Sequence, residues 1–108
     1  MNISILSTYS NEGGAGIAAH RLYRGLKQAG HNTVMIVRDK GTHDKEIYEV
    51  KPEAPEFDVE RMIFQFMQKS GISQNRTDLS NTWFSIPYPG YDLSKTQLIA
   101  DSDIINLH

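Results

Sequence analysis

A short apolar strand that runs into a glycine cluster and then a helix is the feature that most restricts this chain. Ile3-Ser4-Ile5-Leu6-Ser7 empties into Thr8-Tyr9-Ser10-Asn11-Glu12, then into Gly13-Gly14-Ala15-Gly16, and a helical run follows from Ile17 to Ala29. A brief apolar run closed by turn-forming residues is the pattern of a buried parallel strand. Glycine lets the backbone approach a ligand closely, and the first amides of a helix have no partner inside it. Those amides and the helix dipole together favour a phosphate or pyrophosphate.

The remainder of the chain fits an α/β frame. Ala18, Leu22, Leu26 and Ala29 are spaced as one face of a helix, which we expect to be its buried side. Gly30 stops that helix, with Arg24 and Lys27 near its negative end. Thr33-Val34-Met35-Ile36-Val37 reads as a second buried strand, completing a strand–helix–strand unit with a right-handed crossover. Arg38 to Pro55 is polar and loop-like, with Ile47 to Val50 as a short edge strand; Arg38 and Asp39 are expected to be solvated loop residues.

Asp58 is placed to cap a second helix, with Phe57 and Met62 as its hydrophobic staple. Val59, Met62, Ile63, Phe66 and Met67 make a strong amphipathic pattern, expected to be core, and Gly71 is expected to close it. Were that face exposed, it could lean on a membrane surface or a lipid-linked acceptor. Trp83, Phe84, Tyr88 and Tyr91 lie in an irregular stretch, where packing or sugar stacking would use them. Ser94 to Ala100 reads as a short helix capped by Ser94, and Ile104 to Leu107 as a final strand that stops at His108. The expectation is one domain over residues 1–108, an α/β Rossmann-like parallel sheet with flanking helices. It is expected to be incomplete, since no helix follows the last strand to cover the sheet.

Several function classes drop out. A chain of 108 residues can bury one small core but not two. Its net charge is -2 and it has no basic block, which argues against nucleic acid as a partner. There is no cysteine for disulfides or thiolate metal sites, and His20, His31 and His43 lack metal-ligand spacing. No apolar run approaches the ~20 residues that span a bilayer, and no secretory leader is evident, so a cytoplasmic location is expected.

Gly14-Ala15-Gly16-Ile17-Ala18-Ala19 matches the dinucleotide pattern G-x-G-x-x-A, and Asp39 after the second strand could hold a ribose. Six residues separate Ser7 from Gly14, whereas in a dinucleotide fold the first glycine follows the strand almost at once. A nucleotide- or dinucleotide-binding module that grips pyrophosphate with the loop is therefore the alternative.

The run from Ile3 to Leu26 resembles the N-terminus of the retaining group 1 (family 4) glycosyltransferases, enzymes of two-domain GT-B architecture. Their opening is an apolar strand, a Gly-Gly-x-Gly loop and a helix bearing Ala, Arg and Leu. Leu26-Lys27-Gln28-Ala29-Gly30-His31 is similar to their entry into the second strand. Phe84-Ser85, then Ala100-Asp101-Ser102-Asp103-Ile104-Ile105-Asn106-Leu107-His108, resembles their later D-hydrophobic-hydrophobic-H-x-H strand end. The resemblance covers both ends of the chain and little of the middle.

It implies an acceptor-side, N-terminal portion of a transferase that moves a sugar from a nucleotide-diphosphate donor to a hydroxyl acceptor, with retention and without a metal or other cofactor. Gly13, Gly14 and Gly16 match the loop facing the donor diphosphate and the acceptor. Amides there would stabilise charge on the leaving diphosphate. His108 matches the strand-end histidine near the reacting sugar, where an imidazole could bond a hydroxyl or assist proton movement. Asn106 stands where the family often has its first histidine. It shares a sheet face with His108 and can hydrogen-bond, but it cannot titrate. The donor-binding carboxylates and basic phosphate clamp belong to a second domain outside these residues, so the chain alone is expected to be inactive.

Overall fold

The computed structural model describes residues 1–51, 55–78 and 91–108, and of residues 55–58 the backbone only. The chain forms β1 (Asn2–Tyr9), α1 (Gly13–Gln28), β2 (Asn32–Asp39), β3 (Ile47–Glu49), α2 (Pro55–Asn75), α3 (Gln97–Ala100) and β4 (Ile104–Leu107). These fall into two compact units, one of residues 1–51 and 92–108 and one of residues 52–91.

The first unit is a parallel four-stranded sheet in the order β3-β2-β1-β4 with α1 on one face, a Rossmann-like α/β arrangement. Register pairs Ile5 with Met35 and with Asn106, and Met35 with Ile47. Because side chains alternate along a strand, these residues share one face. Ile3, Ile5, Met35, Val37 and Ile47 there close over Ala19 and Tyr23 of α1, with Leu26 packed at the margin. Each large apolar side chain so buried contributes about 1.5–3 kcal/mol. Four of the five strand residues are Ile or Val, whose branched Cβ suits the pleat.

The buried side of α1 is Gly16, Ala19 and Tyr23, one position round from the Ala18, Leu22 and Ala29 stripe expected from spacing; Ala18, Leu22 and Ala29 are exposed. Tyr23 decides the rotation. Its ring is a larger apolar body than Ala18 or Leu22, and its hydroxyl reaches Asp44 Oδ2 at 2.9 Å beyond the core edge. The helix ends as expected: Gly30 takes φ +89°, and its amide and that of His31 bond the carbonyls of Lys27 and Leu26. That is a complete Schellman turn.

β4 lies at the sheet edge beside β1, and Leu107 on it is 78% exposed. The start of the sheet is fastened by Asn2, whose amide donates to Asp103 Oδ2 (2.8 Å) and whose side chain bonds Asp101 and Asn32. On the face away from α1, the buried Ser4 hydroxyl lies 2.6 Å from Ser102 Oγ beside α3. Ser94 does not cap α3. Thr96 occupies the N-cap, while Ser94 donates twice to Asp92 in a tight turn that holds the Asp92 carboxyl below its usual range.

In the second unit α2 begins at Pro55, so Asp58 lies within the helix and not at its cap. Proline suits a first helical position, where its missing N–H costs nothing. The helix also runs through Gly71 to Asn75, whose side-chain amide bonds the Gly71 carbonyl at 2.8 Å. The apolar stripe expected as core is exposed: Val59, Met62, Ile63, Phe66 and Met67 all face outward, Phe66 at 74%. Arg61, Phe64, Gln68 and Ile72, on the opposite side of the helix, are half-buried, and Arg61 stands over the Tyr91 ring at 5.7 Å. Trp83, Phe84, Ser85 and Tyr88 lie outside the described residues. No described helix is long and apolar enough to cross a membrane.

Candidate functional site

All the strands are parallel, so their carboxyl ends open on one edge of the sheet, which is where α/β sheets hold their ligands. There β1 passes through Tyr9 and Ser10 into α1, β2 finishes at Arg38 and Asp39, and β4 finishes before His108.

The glycines are the first turn of α1, not a separate loop ahead of it. Gly13 enters the helix at φ +64°, a backbone setting that side-chain-bearing residues rarely adopt. Gly16 is packed against β1: a Cβ there would lie 3.1 Å from the Tyr9 carbonyl oxygen and 3.3 Å from its Cβ. Gly14 has nothing within 4 Å of such an atom and is exposed. The three glycines therefore do different work: Gly13 turns the chain, Gly14 leaves the helix end open, and Gly16 seats the helix on the strand.

Glu12 is the N-cap, yet its side chain makes no capping bond, and the first turn carries no acid. The carboxylate turns toward the β2–β3 connection, where its Oε1 is 3.5 Å from the place a Cβ at Gly41 would take. Among the described residues, the opening amides of α1 thus have no side-chain acceptor at the positive end of a 16-residue helix. Buried Ser10 fixes this entrance by receiving the Gly41 amide on its Oγ (3.1 Å) while its own amide donates to the Asp39 carbonyl (3.3 Å).

β4 joins the other expected residues to the same edge. The His108 amide donates to the Leu6 carbonyl at 2.9 Å, setting His108 level with Ser7, and its side chain is exposed. Tyr9, where β1 ends, is two residues further on, about 7 Å along the strand. Asn106 pairs with Ile5 on the α1 face, and its Oδ1 is buried without a hydrogen-bond partner among the described residues. A buried acceptor of that kind is ordinarily satisfied by a donor such as an ordered water.

Arg38 and Asp39 are strand residues and not the loop expected from the sequence, although Asp39 is exposed as expected. They are the last residues of β2, and Arg38 is half-buried. Arg38 Nε donates to Asp39 Oδ2 at 2.7 Å, Nη2 to the Tyr9 hydroxyl at 3.2 Å, and the guanidinium stands 5.4 Å from the Tyr9 ring centre. Partial burial works against the Arg38 charge, but Asp39 and Tyr9 outweigh it and push its pKa further up. Tyr9 and Arg38 are thus part of the rim, joined through the Tyr9–Asp39 register. Only an aromatic near the end of one strand and a cation near the end of the next hint at this in the sequence.

A cleft of about 330 Å³ opens at the opposite end of the strands, among Asn2, Ser4, Asn32, Leu98 and Ser102. Its polar groups mostly bond each other, and it is remote from the glycines. Among the described residues there is no cluster of three or more His, Asp or Glu side chains able to hold a metal. No family model, curated protein or solved structure matches the chain.

Proposed function

We infer that this domain is the acceptor-side part of a GT-B glycosyltransferase, which transfers a sugar from a nucleotide-diphosphate donor to a hydroxyl acceptor with retention. The observation that carries the reading is the uncapped amino end of α1 at the edge where β4 also delivers His108. In this reading the Gly13 and Gly14 amides stabilise negative charge on the donor diphosphate as it leaves. The Asn106 side-chain amide hydrogen-bonds a sugar or acceptor hydroxyl, and His108 bonds the reacting sugar or assists its proton. The donor nucleotide is held chiefly by a second domain, so these 108 residues bind weakly and turn nothing over.

The dinucleotide alternative would use the Asp39 carboxylate to receive a ribose hydroxyl, with Arg38 on its Oδ2 and its other oxygen as the acceptor. Titration with UDP, UDP-sugars, GDP-sugars and NAD, followed by the amide resonances of residues 13–16, tests the assignment. Nucleotide diphosphates and their sugars should shift those amides, and Gly14→Ala should remove the shift without unfolding the chain. Tight NAD binding would transfer the site to the alternative. Turnover of a nucleotide sugar by the isolated chain would sink the expectation that it is inactive alone.

A further inference from the structure

The exposed stripe on α2 is a feature that the proposed transferase reading leaves unused. Val59, Met62, Ile63, Phe66 and Met67 follow one side of a 21-residue helix, opposite the half-buried Arg61, Phe64, Gln68 and Ile72. Contiguous apolar surface of this kind marks an interaction site. We propose that the stripe is the seam of a two-fold, antiparallel pairing with a second copy of this chain.

Charge along the helix selects the occupant. The first part carries acids at Glu56, Asp58 and Glu60; beyond Arg61 the only charge on the helix is Lys69, with Arg76 just past its end. A head-to-tail reversal sets the acidic end of one copy against the basic end of the other and opposes the two helix dipoles favourably. Position 69 lies eleven residues beyond position 58, about three turns, so both fall on one flank of the stripe. A two-fold axis brings like flanks together in reverse order. It therefore sets Lys69 of each copy opposite position 58 of the other, and Lys69 has no ion pair among the described residues. The midpoint of 58 and 69 falls between Ile63 and Phe64, half a residue from Ile63 at the middle of the 59–67 stripe. Charge register and apolar register thus coincide. A membrane surface fits less well: interfacial helices carry Lys and Arg on their polar face, whereas α2 has three acids and two bases.

Single cysteines read the seam directly, because the natural chain contains none. Packed helices lie about 8–10 Å apart, so two copies of position 63 meet close to the axis, within disulfide reach. Two copies of position 59 stand about 13 Å apart along the helix and cannot join. Under mild oxidation Ile63→Cys should form a disulfide dimer and Val59→Cys alone should not, while Val59→Cys mixed with Met67→Cys should give the heterodimer. Sedimentation of the unmodified chain should show a monomer–dimer equilibrium that Phe66→Glu abolishes with helix content unchanged. Lys69→Asp should weaken it, and Asp58→Lys with Lys69→Asp should restore it. A chain that stays monomeric at high concentration would overturn the proposal. So would cross-linking of Val59→Cys as complete as that of Ile63→Cys, or the monomer partitioning onto phosphatidylglycerol vesicles through α2.

Discussion

Gly14 and Gly16 stand two residues apart in one helical turn and should respond oppositely to the same added methyl group. At Gly14 a Cβ meets nothing, so Gly14→Ala should leave stability unchanged or raise it by up to about 1 kcal/mol through helix propensity. At Gly16 it meets the Tyr9 backbone, and seating it requires α1 to move off β1; Gly16→Ala should cost about 1–3 kcal/mol. Urea midpoints of the two variants check this, and equal shifts would mean that Gly16 is not the contact described. Tyr23 makes a second residue-scale prediction. Burial, then its bond to Asp44 and that carboxylate's charge, push the phenol up to about 12. The unfolded chain releases the same proton near the ordinary value of 10, so the unfolded state gains by ionising first. The stability held by this proton is complete below pH 10 and is lost as pH climbs through about 12. Tyr23→Phe should cost about 1 kcal/mol at neutral pH, and the advantage of the natural chain over it should shrink across that window. A constant difference between the two up to pH 12 would rule the linkage out.

Elements were legible from the sequence in kind more than in orientation. The order strand, helix, strand, short strand, long helix, short helix, strand follows from apolar runs and from stops such as Gly30, and the structure matches it. The buried face of α1 did not follow, because two stripes compete on that helix and share Leu26. What chooses between them is Asp44 on a connection 21 residues beyond Tyr23, a contact that no local window contains. The same limit applies to the site. Three glycines before a helix are visible to inspection, but the closeness of Gly16 to Tyr9 and the Arg38–Tyr9 contact require the β1–β2 register. On α2 the spacing gave the stripe correctly, since period alone defines a face; whether that face is covered depends on what else is present. The α1 assignment has a direct test. Ala19→Leu forces bulk between helix and sheet where Ala19 is fully buried, and should cost at least about 1–3 kcal/mol. Ala18→Leu, on the exposed side, should stay within about 0.5 kcal/mol. If Ala18→Leu proved the more damaging, the helix would be rotated from the orientation described.

The whole molecule divides its stability unevenly between its two units. Among the described residues, the hydrophobic cluster lies in the unit of residues 1–51 and 92–108, where β1 and β2 are flanked by strands and covered by α1. The other unit contributes α2, which turns its most apolar side outward and keeps only one side half-buried. Helices draw most of their stability from packing an apolar face, so α2 should open locally well below the free energy of global unfolding. Native-state hydrogen exchange resolves the difference. Amides of Ile5, Met35 and Val37 should exchange only through global unfolding, whereas those along residues 60–72 should exchange at least about 100-fold faster in dilute protein. Pairing through the stripe would add a concentration dependence confined to α2, because a partner that binds only the folded helix stabilises it by mass action. Slowing of α2 exchange with rising protein concentration, with β1 and β2 unaffected, is therefore the expected pattern. Protection of α2 equal to that of β1 in dilute solution would show instead that the stripe is already covered within a single chain.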